Sequence, residues 1–217
     1  MRCHLAFAPV GRPARPSDHV VVMRGEREVG VIALQVSCSG FEAPSPEAAR
    51  VVAAQLRTLR APDGDPVPAV CAALDSLGEE AAGWLTRTRI SPEGISIDAL
   101  GGIEVQRMVG PDEQPLRTRA DRARMPGHPS LVSRGLGAGY GDTALEPVAR
   151  WSGAPPHRLV IMAHEPAIAL DAEDVATADF GSREPAVTLA HIAERRGAKG
   201  GFVIALTVLT LAESRRT

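Results

Sequence analysis

The sequence predicts an α+β fold, a four-layer αββα sandwich in which two antiparallel sheets are flanked by pairs of helices. Short runs of aliphatic and β-branched residues separated by turn residues recur along most of the chain, which indicates many strands. Helix-spaced apolar patterns occur in two separate pairs. We therefore expect residues 1–217 to form a single domain in which each helix pair covers one outer sheet face.

Composition narrows the class of protein. Hydrophobic residues make up 44% of the chain and aromatic residues only 3%, so the core must be built from aliphatic side chains. The 24 Lys and Arg residues against 26 Asp and Glu give a net charge of −2, which disfavours a nucleic-acid-binding surface. Cys3, Cys38 and Cys71 are too scattered for a disulfide framework or a metal motif and are expected to be small buried residues. No apolar run approaches the ~18 residues of a membrane span, so we expect a cytoplasmic protein that does not bind membranes.

The first half of the chain begins with three predicted strands, His4–Val10, His19–Met23 and Val29–Val36. The third is nearly continuous in apolar residues, which predicts burial on both faces. A helix is expected from Pro46, with Ser45 as its N-cap and Leu56 on its apolar face. A second helix is expected over 67–85, where Val70, Leu74, Leu77, Ala81 and Leu85 form one stripe.

The middle of the chain turns to β-structure. Strands are predicted at Thr86–Ile90, Gly94–Leu100 and Ile103–Val109, with turn residues between them. The arginine-rich segment Pro115–Pro129 has almost no core residues and is interpreted as a solvated surface loop. The glycine run Gly135–Gly141 lacks the Gly-Lys-Ser/Thr ending of a phosphate loop and is interpreted as a turn between strands.

The last third contains the most informative stretch, a five-residue apolar run Leu159–Ala163 that ends at His164-Glu165-Pro166. We expect a buried strand whose end delivers His164 and Glu165 to a sheet edge or cleft. The remaining predicted elements are strands at Leu131–Val132, Leu145–Trp151 and Phe202–Leu211, a short helix starting at Asp171, and a helix at Glu184–Arg196 that is closed by Gly197.

Six short segments occur in an order and spacing that can be compared with known families: Arg15-Pro16-Ser17-Asp18, Val36–Ala48, Leu100–Glu104, Ser133-Arg134-Gly135-Leu136-Gly137, Arg158–Pro166 and Gly197–Val203. Together with the elements between them, they resemble the type 2C (PPM) metal-dependent protein serine/threonine phosphatases over nearly the whole chain. The resemblance implies a phosphatase 2C-like sandwich that holds two Mg²⁺ or Mn²⁺ ions between its sheets.

The departures from that family all concern the metal ligands. By the resemblance, Asp18 keeps a family aspartate, whereas Ser37, His164, Gly200 and Gly102 stand where the family has further aspartates. Cys38 takes the place of the glycine beside the bridging aspartate. One carboxylate does not offset the repulsion between two divalent ions a few Å apart. The sequence therefore predicts a dismantled binuclear centre and no bound cofactor, although Mg²⁺ or Mn²⁺ is expected for the family.

Two other uses of the site stay open. A single transition-metal site has weak candidate ligands in Asp18, His164 and Glu165, together with His19 and Glu42. Ser37 and His164 form a nucleophile and base only through the alignment, and no nucleophile elbow surrounds Ser37.

Arginines supply candidate binding residues. Arg12 and Arg15 at the rim of the cleft are candidates for contact with phosphate or with an acidic partner. The arginines of the segment Arg117–Arg124 are weaker candidates, because simple solubility explains them as well.

The functional prediction is a pseudophosphatase, a catalytically inactive regulatory module that binds a protein partner, with a phosphoprotein or a kinase as candidates. An atypical phosphatase or other hydrolase, and a structural subunit of a bacterial complex, are the alternatives. The sequence leaves enzymatic activity open.

Overall fold

A computed structural model describes residues 1–11, 18–38, 54–56, 58, 64–77, 81–108, 116–119, 132, 134–137, 140–141, 144–178 and 184–209 of the chain. The side chains at 18, 19, 37 and 38 are not part of that description.

Eleven strands and four helices are named from the described residues. The strands are β1 (Arg2–Pro9), β2 (Asp18–Arg24), β3 (Val29–Cys38), β4 (Ala81–Ser91), β5 (Gly94–Leu100), β6 (Glu104–Met108), β7 (Leu116–Arg117), β8 (Leu136–Gly137), β9 (Glu146–Ser152), β10 (His157–Met162) and β11 (Phe202–Leu209). The helices are α1 (Val67–Leu77), α2 (His164–Ala169), α3 (Ala172–Ala176) and α4 (Pro185–Arg195).

The strands form two antiparallel sheets. The first sheet has the order β1-β11-β10-β6-β7, and the second has the order β2-β3-β4-β5-β9, with β8 paired to β4. Helix α1 packs against β4, whereas α4 packs against β1 and β11. Two antiparallel sheets with helices on their outer faces confirm the predicted α+β sandwich.

Three apolar layers hold the sandwich together, because side chains alternate between the two faces of each strand. Val31, Ile97 and Ile161 belong to the layer between the sheets. A second layer lies between the second sheet and α1, and a third lies between the first sheet and the helices α2–α4. Strands β3 and β10 contribute to two layers each, which confirms that their continuous apolar runs are buried on both faces.

Most strand predictions are confirmed to within one or two residues, but the helix expected over 67–85 is wrong at its C-terminal end. Helix α1 ends at Leu77, and Ala81 already lies in β4. The stripe residues Ala81 and Leu85 are buried as predicted, but as strand residues paired with Cys38 and Leu34 of β3. Pairing with a distant strand overrides the local helical spacing.

The arginine-rich segment also differs from its prediction as a solvated loop. Leu116–Arg117 is a short strand that pairs with β6. Thr118 is 5% exposed, and its hydroxyl oxygen accepts a hydrogen bond from the Val105 amide at 2.8 Å. Residues 120–131 and most of the helix expected from Pro46 lie outside the description, although residues 54–56 are helical and Leu56 is buried.

The end of the chain follows its prediction closely. Asp171 caps α3 through a reciprocal capping box with Asp174, and Gly197 follows α4 with a φ of +97°. Burial raises the pKa of the Cys3 and Cys71 thiols, and both are free, so they fit the predicted role of small apolar residues. Within the described part of the chain, no helix is long and apolar enough to cross a membrane.

Candidate functional site at the strand ends

The site predicted from the sequence lies where several strands meet at one end of the sandwich. Met162, the last residue of β10, pairs with Val203 of β11 on one side and with Glu104 of β6 on the other. In the opposite sheet, the end of β3 pairs with the start of β4. The two sheets are joined at this end by a hydrogen bond from the His164 amide to Gln35 Oε1, at 3.4 Å.

His164 begins a short helix instead of standing free at a strand end. Ala163 precedes it in extended backbone (φ −62°, ψ 168°), and α2 then runs to Ala169. Pro166 is tolerated because it lies in the first turn, where a backbone N–H has no partner within the helix. The turn into α2 draws the imidazole of His164 inward, leaving the residue only 4% exposed.

The imidazole of His164 is packed against aromatic and backbone atoms. Its ring centroid lies 5.9 Å from that of Trp84, at an interplanar angle of 54°. A Cβ atom placed on Gly102 would lie 2.9 Å from His164 Cβ and 3.0 Å from Nδ1, closer than real contacts of this kind. Any side chain at position 102, including an aspartate, would therefore require His164 to move.

Glu165 has a structural task at the same site. Its Oε2 accepts hydrogen bonds from the backbone amides of Lys199 at 2.6 Å and Gly200 at 3.0 Å. Two consecutive N–H groups directed at one oxygen form an anion-binding nest. Here the nest is filled by the protein's own carboxylate, so the loop before β11 is fastened to the first turn of α2.

The structure brings some of the remaining predicted residues to the same place. The backbone of Asp18 pairs with Gln35, so Asp18 and His164 are both neighbours of one residue of β3. Ser37 and Cys38 end β3 opposite Ala82 and Ala81. The side chains of Asp18, His19, Ser37 and Cys38 are outside the description, as are Arg12, Arg15 and Glu42 entirely.

Two residues at this site were missed by the sequence interpretation. Gln35 is 5% exposed and interrupts the otherwise apolar run Val29–Val36 of β3. Trp84 packs beside His164 and above Gly101, where an added Cβ would lie 2.4 Å from its indole ring. A polar residue inside an apolar run was a usable signal for Gln35, whereas position 84 was assigned to a helix and gave none.

Arg117 was named only as a weak phosphate contact, and the structure gives it an internal role. Its guanidinium pairs with Glu104 at 2.5 Å and donates to the carbonyl oxygens of Ala167 and Leu170. These carbonyls belong to the C-terminal end of α2, where a cation is favourable. Arg117 thus holds the helix that carries His164, with 22% of its side chain exposed.

The described donors do not fit a binuclear Mg²⁺ or Mn²⁺ centre. Such hard cations need several carboxylate oxygens, whereas Gly102 and Gly200 offer no side chain and His164 offers nitrogen. The Glu165 carboxylate is already bound by two amides. Among the residues that the structure describes, no group of three or more His, Cys, Asp and Glu side chains is arranged to hold a metal ion.

Comparison with solved structures identifies the architecture. A serine/threonine phosphatase from S. agalactiae superposes with a TM-score of 0.69 at 11% identity, covering 96% of this chain and 100% of that one. The fold is that of the PPM serine/threonine phosphatases. PppA, described as a key regulatory component of T6SS in Pseudomonas aeruginosa, gives a TM-score of 0.66 at 14% identity, covering 95% and 97%. The catalytic domain of PstP, solved with two manganese ions, gives 0.63 at 18% identity, covering 96% and 99%.

At the level of sequence the chain stands apart from these structures. No protein-family model matches it, and no curated protein matches it either. The likeness therefore establishes the PPM phosphatase fold alone.

Proposed function

We propose that this chain is a pseudophosphatase, a regulatory module that keeps the phosphatase fold and binds a protein partner without hydrolysing phosphate esters at a two-metal centre. One observation carries the proposal. A Cβ atom on Gly102 would lie 2.9 Å from His164 Cβ, so the aspartate expected there for the family fits only if His164 moves. Direct contacts between protein groups connect the strand ends that two metal ions connect in a PPM phosphatase.

A regulatory role is supported by the likeness to PppA, which is described as a regulatory component. The present chain shares its fold over 95% of its length.

A groove beside the site offers a place for the partner. It has a volume of about 550 Å³ and is lined in part by the apolar residues Ile168, Ala169 and Ala198. Ile168 is 41% exposed, and the exposed Lys199 lies at the same groove. Arg196, also in the lining, is engaged by Asp174 at 2.5 Å. This chemistry fits a partner segment that presents an apolar side chain next to an acidic one.

The metal question is tested with the purified full chain, millimolar Mn²⁺ or Mg²⁺, an aryl phosphate and a phosphoserine peptide. We expect no metal-dependent turnover. We also expect no metal-dependent rise in melting temperature, since such a rise would mean that the metal binds the native state. Turnover that requires Mn²⁺ and is lost in Asp18→Ala or His164→Ala would overturn the proposal.

The partner question uses the fact that Lys199 is the only lysine of the chain. An amine-reactive cross-linker applied in native cell extract should join Lys199 to one partner, and mass spectrometry should identify that partner and distinguish this link from one at the N-terminal amine. The adduct should disappear in Ile168→Asp and persist in Val148→Asp, since Val148 is an equally exposed apolar residue (39%) on β9. An adduct that survives Ile168→Asp would remove the groove from the proposal.

A further inference from the structure

A second candidate binding site lies on the outer face of the sheet formed by β2, β3, β4, β5 and β9. Ile95 and Ile97 of β5 point into the layer between the sheets, so Ser96 between them faces outward. A hollow of about 320 Å³ opens at this position, toward the end of the sandwich marked by the β4–β5 turn. It does not share a residue with the strand-end site described above.

The register of the strands places two arginines on either side of a serine. Arg89 of β4 lies directly opposite Ser96 of β5, and Ser96 lies directly opposite Arg150 of β9. Because neighbouring strands are about 4.8 Å apart, the Cα atoms of the two arginines lie roughly 10 Å apart, and Ser96 lies between them. All three residues line the hollow.

The next row of the sheet leaves the space open. Ser91, Gly94 and Ser152 lie opposite one another on β4, β5 and β9, and all three line the hollow. Small residues in one row beside long cationic residues in the other create a cavity with two guanidinium groups at one wall.

The positive charge of this wall is only partly neutralised. Asp98 is bound first by Arg87, at 2.8 Å, and lies 3.5 Å from Arg89. The Nε of Arg89 is buried and has no hydrogen-bond partner among the described residues. Arg150 is exposed, and within the described ranges it has no ion pair. The Arg89 side chain is 32% exposed, so part of its guanidinium can reach an anionic group in the hollow.

Two acids at the edges of the hollow complete its charge pattern. Glu28 and Glu93 belong to the turns that flank the arginine row and also line the hollow. The Ser91 hydroxyl, a hydrogen bond to backbone and the nearby Arg27 lower the pKa of Glu93, so its carboxylate is charged at neutral pH. A dianion with no cationic group would be attracted by the arginines but repelled by the two glutamates. A ligand that carries a cation beside its anionic group is attracted by both.

We propose that this hollow binds a phosphate monoester group that is carried next to an ammonium group. The phosphate lies between Arg89 and Arg150 and contacts the Ser96 hydroxyl, since a guanidinium group can donate two hydrogen bonds to two oxygens of one phosphate. The ammonium group lies toward Glu28 and Glu93. Free phosphorylated amines and a phosphoserine near a lysine share this chemistry.

Titration calorimetry of the full chain tests the site with four probes: phosphoethanolamine, inorganic phosphate, ethanolamine and a phosphoserine peptide with a basic neighbour. We expect phosphoethanolamine to bind more tightly than inorganic phosphate, and ethanolamine not to bind. Tighter binding of the peptide would assign the site to a phosphoprotein, and tighter binding of phosphoethanolamine would assign it to a small molecule.

Variants separate this hollow from general surface charge. Arg150→Gln should weaken phosphoethanolamine binding by about tenfold or more, which corresponds to the loss of one charge-assisted contact. Ser96→Leu, which fills the hollow without changing charge, should do the same, and Glu93→Gln should reduce the preference for phosphoethanolamine over phosphate. Arg195→Gln on the exposed face of α4 is the matched control and should bind as the unmodified chain does.

The proposal is overturned if phosphoethanolamine does not bind the unmodified chain at roughly 10 mM, the weak end of specific affinity. It is also overturned if Arg150→Gln and Ser96→Leu bind as tightly as Arg195→Gln, because the charge of the surface as a whole would then explain the binding.

Discussion

Glu165 is the residue whose removal tests most directly how the strand ends are held together. Its carboxylate fastens the loop before β11 to the first turn of α2 through the amides of Lys199 and Gly200. We predict that Glu165→Ala lowers the free energy of unfolding and that Glu165→Gln lowers it by less, because an amide oxygen accepts the same bonds without the charge.

The magnitude follows from the two bonds. A hydrogen bond to a charged group contributes about 1.5–3 kcal/mol, and partial exposure of Glu165 reduces this. We therefore expect a loss of about 2 kcal/mol for Glu165→Ala and about 1 kcal/mol for Glu165→Gln. In a chain of this size each kcal/mol lowers the melting temperature by about 2–4 °C, so Glu165→Ala should melt roughly 4–8 °C lower.

The measurement is differential scanning calorimetry at pH 7 with and without Mn²⁺. Glu173→Gln is the matched control, because Glu173 is an exposed acid on the neighbouring helix α3. If Glu165 fastens the loop, its variants melt lower in both conditions and the control does not. Equal melting of Glu165→Ala and the control would refute the reasoning, and a rise with Mn²⁺ that vanishes in Glu165→Ala would make Glu165 a metal ligand.

Two further predictions concern buried charge. Burial, and to a smaller degree the nearby Arg107, lowers the pKa of His157, so this imidazole stays neutral in the folded protein but is protonated in the unfolded chain below the ordinary value of 6.5. Stability should therefore fall as the pH drops below about 6.5. Urea unfolding at pH 7 and 5.5 should show a smaller loss of stability for His157→Gln than for the unmodified chain. Arg117→Met removes the guanidinium partner of the buried Glu104 and should lower the free energy of unfolding by about 3 kcal/mol. Adding Glu104→Gln should restore much of that loss. Chemical unfolding followed by circular dichroism gives both values, and a double variant no more stable than Arg117→Met alone would contradict the pairing.

The parts of the fold that were predictable are those decided by local pattern. The apolar runs at β3, β10 and β11 bury both faces, and such a run predicts a strand without knowledge of its partners. The cap of α3 at Asp171 and the glycine after α4 are equally local signals.

The features that were missed depend on contacts between residues far apart in sequence. Ala81 and Leu85 match helical spacing, and only their pairing with β3 makes them strand residues. Pro166 was taken as the end of a strand, although it also suits the first turn of a helix. Gln35 accepts a hydrogen bond from His164, which lies 129 residues further along the chain, and no local sequence pattern near either residue predicts this contact.

For the site itself, the resemblance predicted which positions to inspect, and the structure shows what surrounds His164, Gly102 and Gly200. The replacement of metal-binding aspartates at His164, Gly102 and Gly200 stays a prediction, although those residues were readable from the sequence. The fastening of the loop by Glu165 and the support of α2 by Arg117 were not, because both depend on backbone groups brought close only in the folded chain.

The two tryptophans of the chain lie at opposite ends of the sandwich, and this gives the molecule a pair of built-in optical reporters. Trp84 packs against His164 at the strand-end site, and Trp151 packs in the layer between the sheets, opposite Ile95 of β5. Indole emission depends on the immediate surroundings of each ring, so Trp151→Phe and Trp84→Phe each leave a chain that reports from one end only. A change in packing at either end becomes visible in light emitted by the protein itself, without an attached dye.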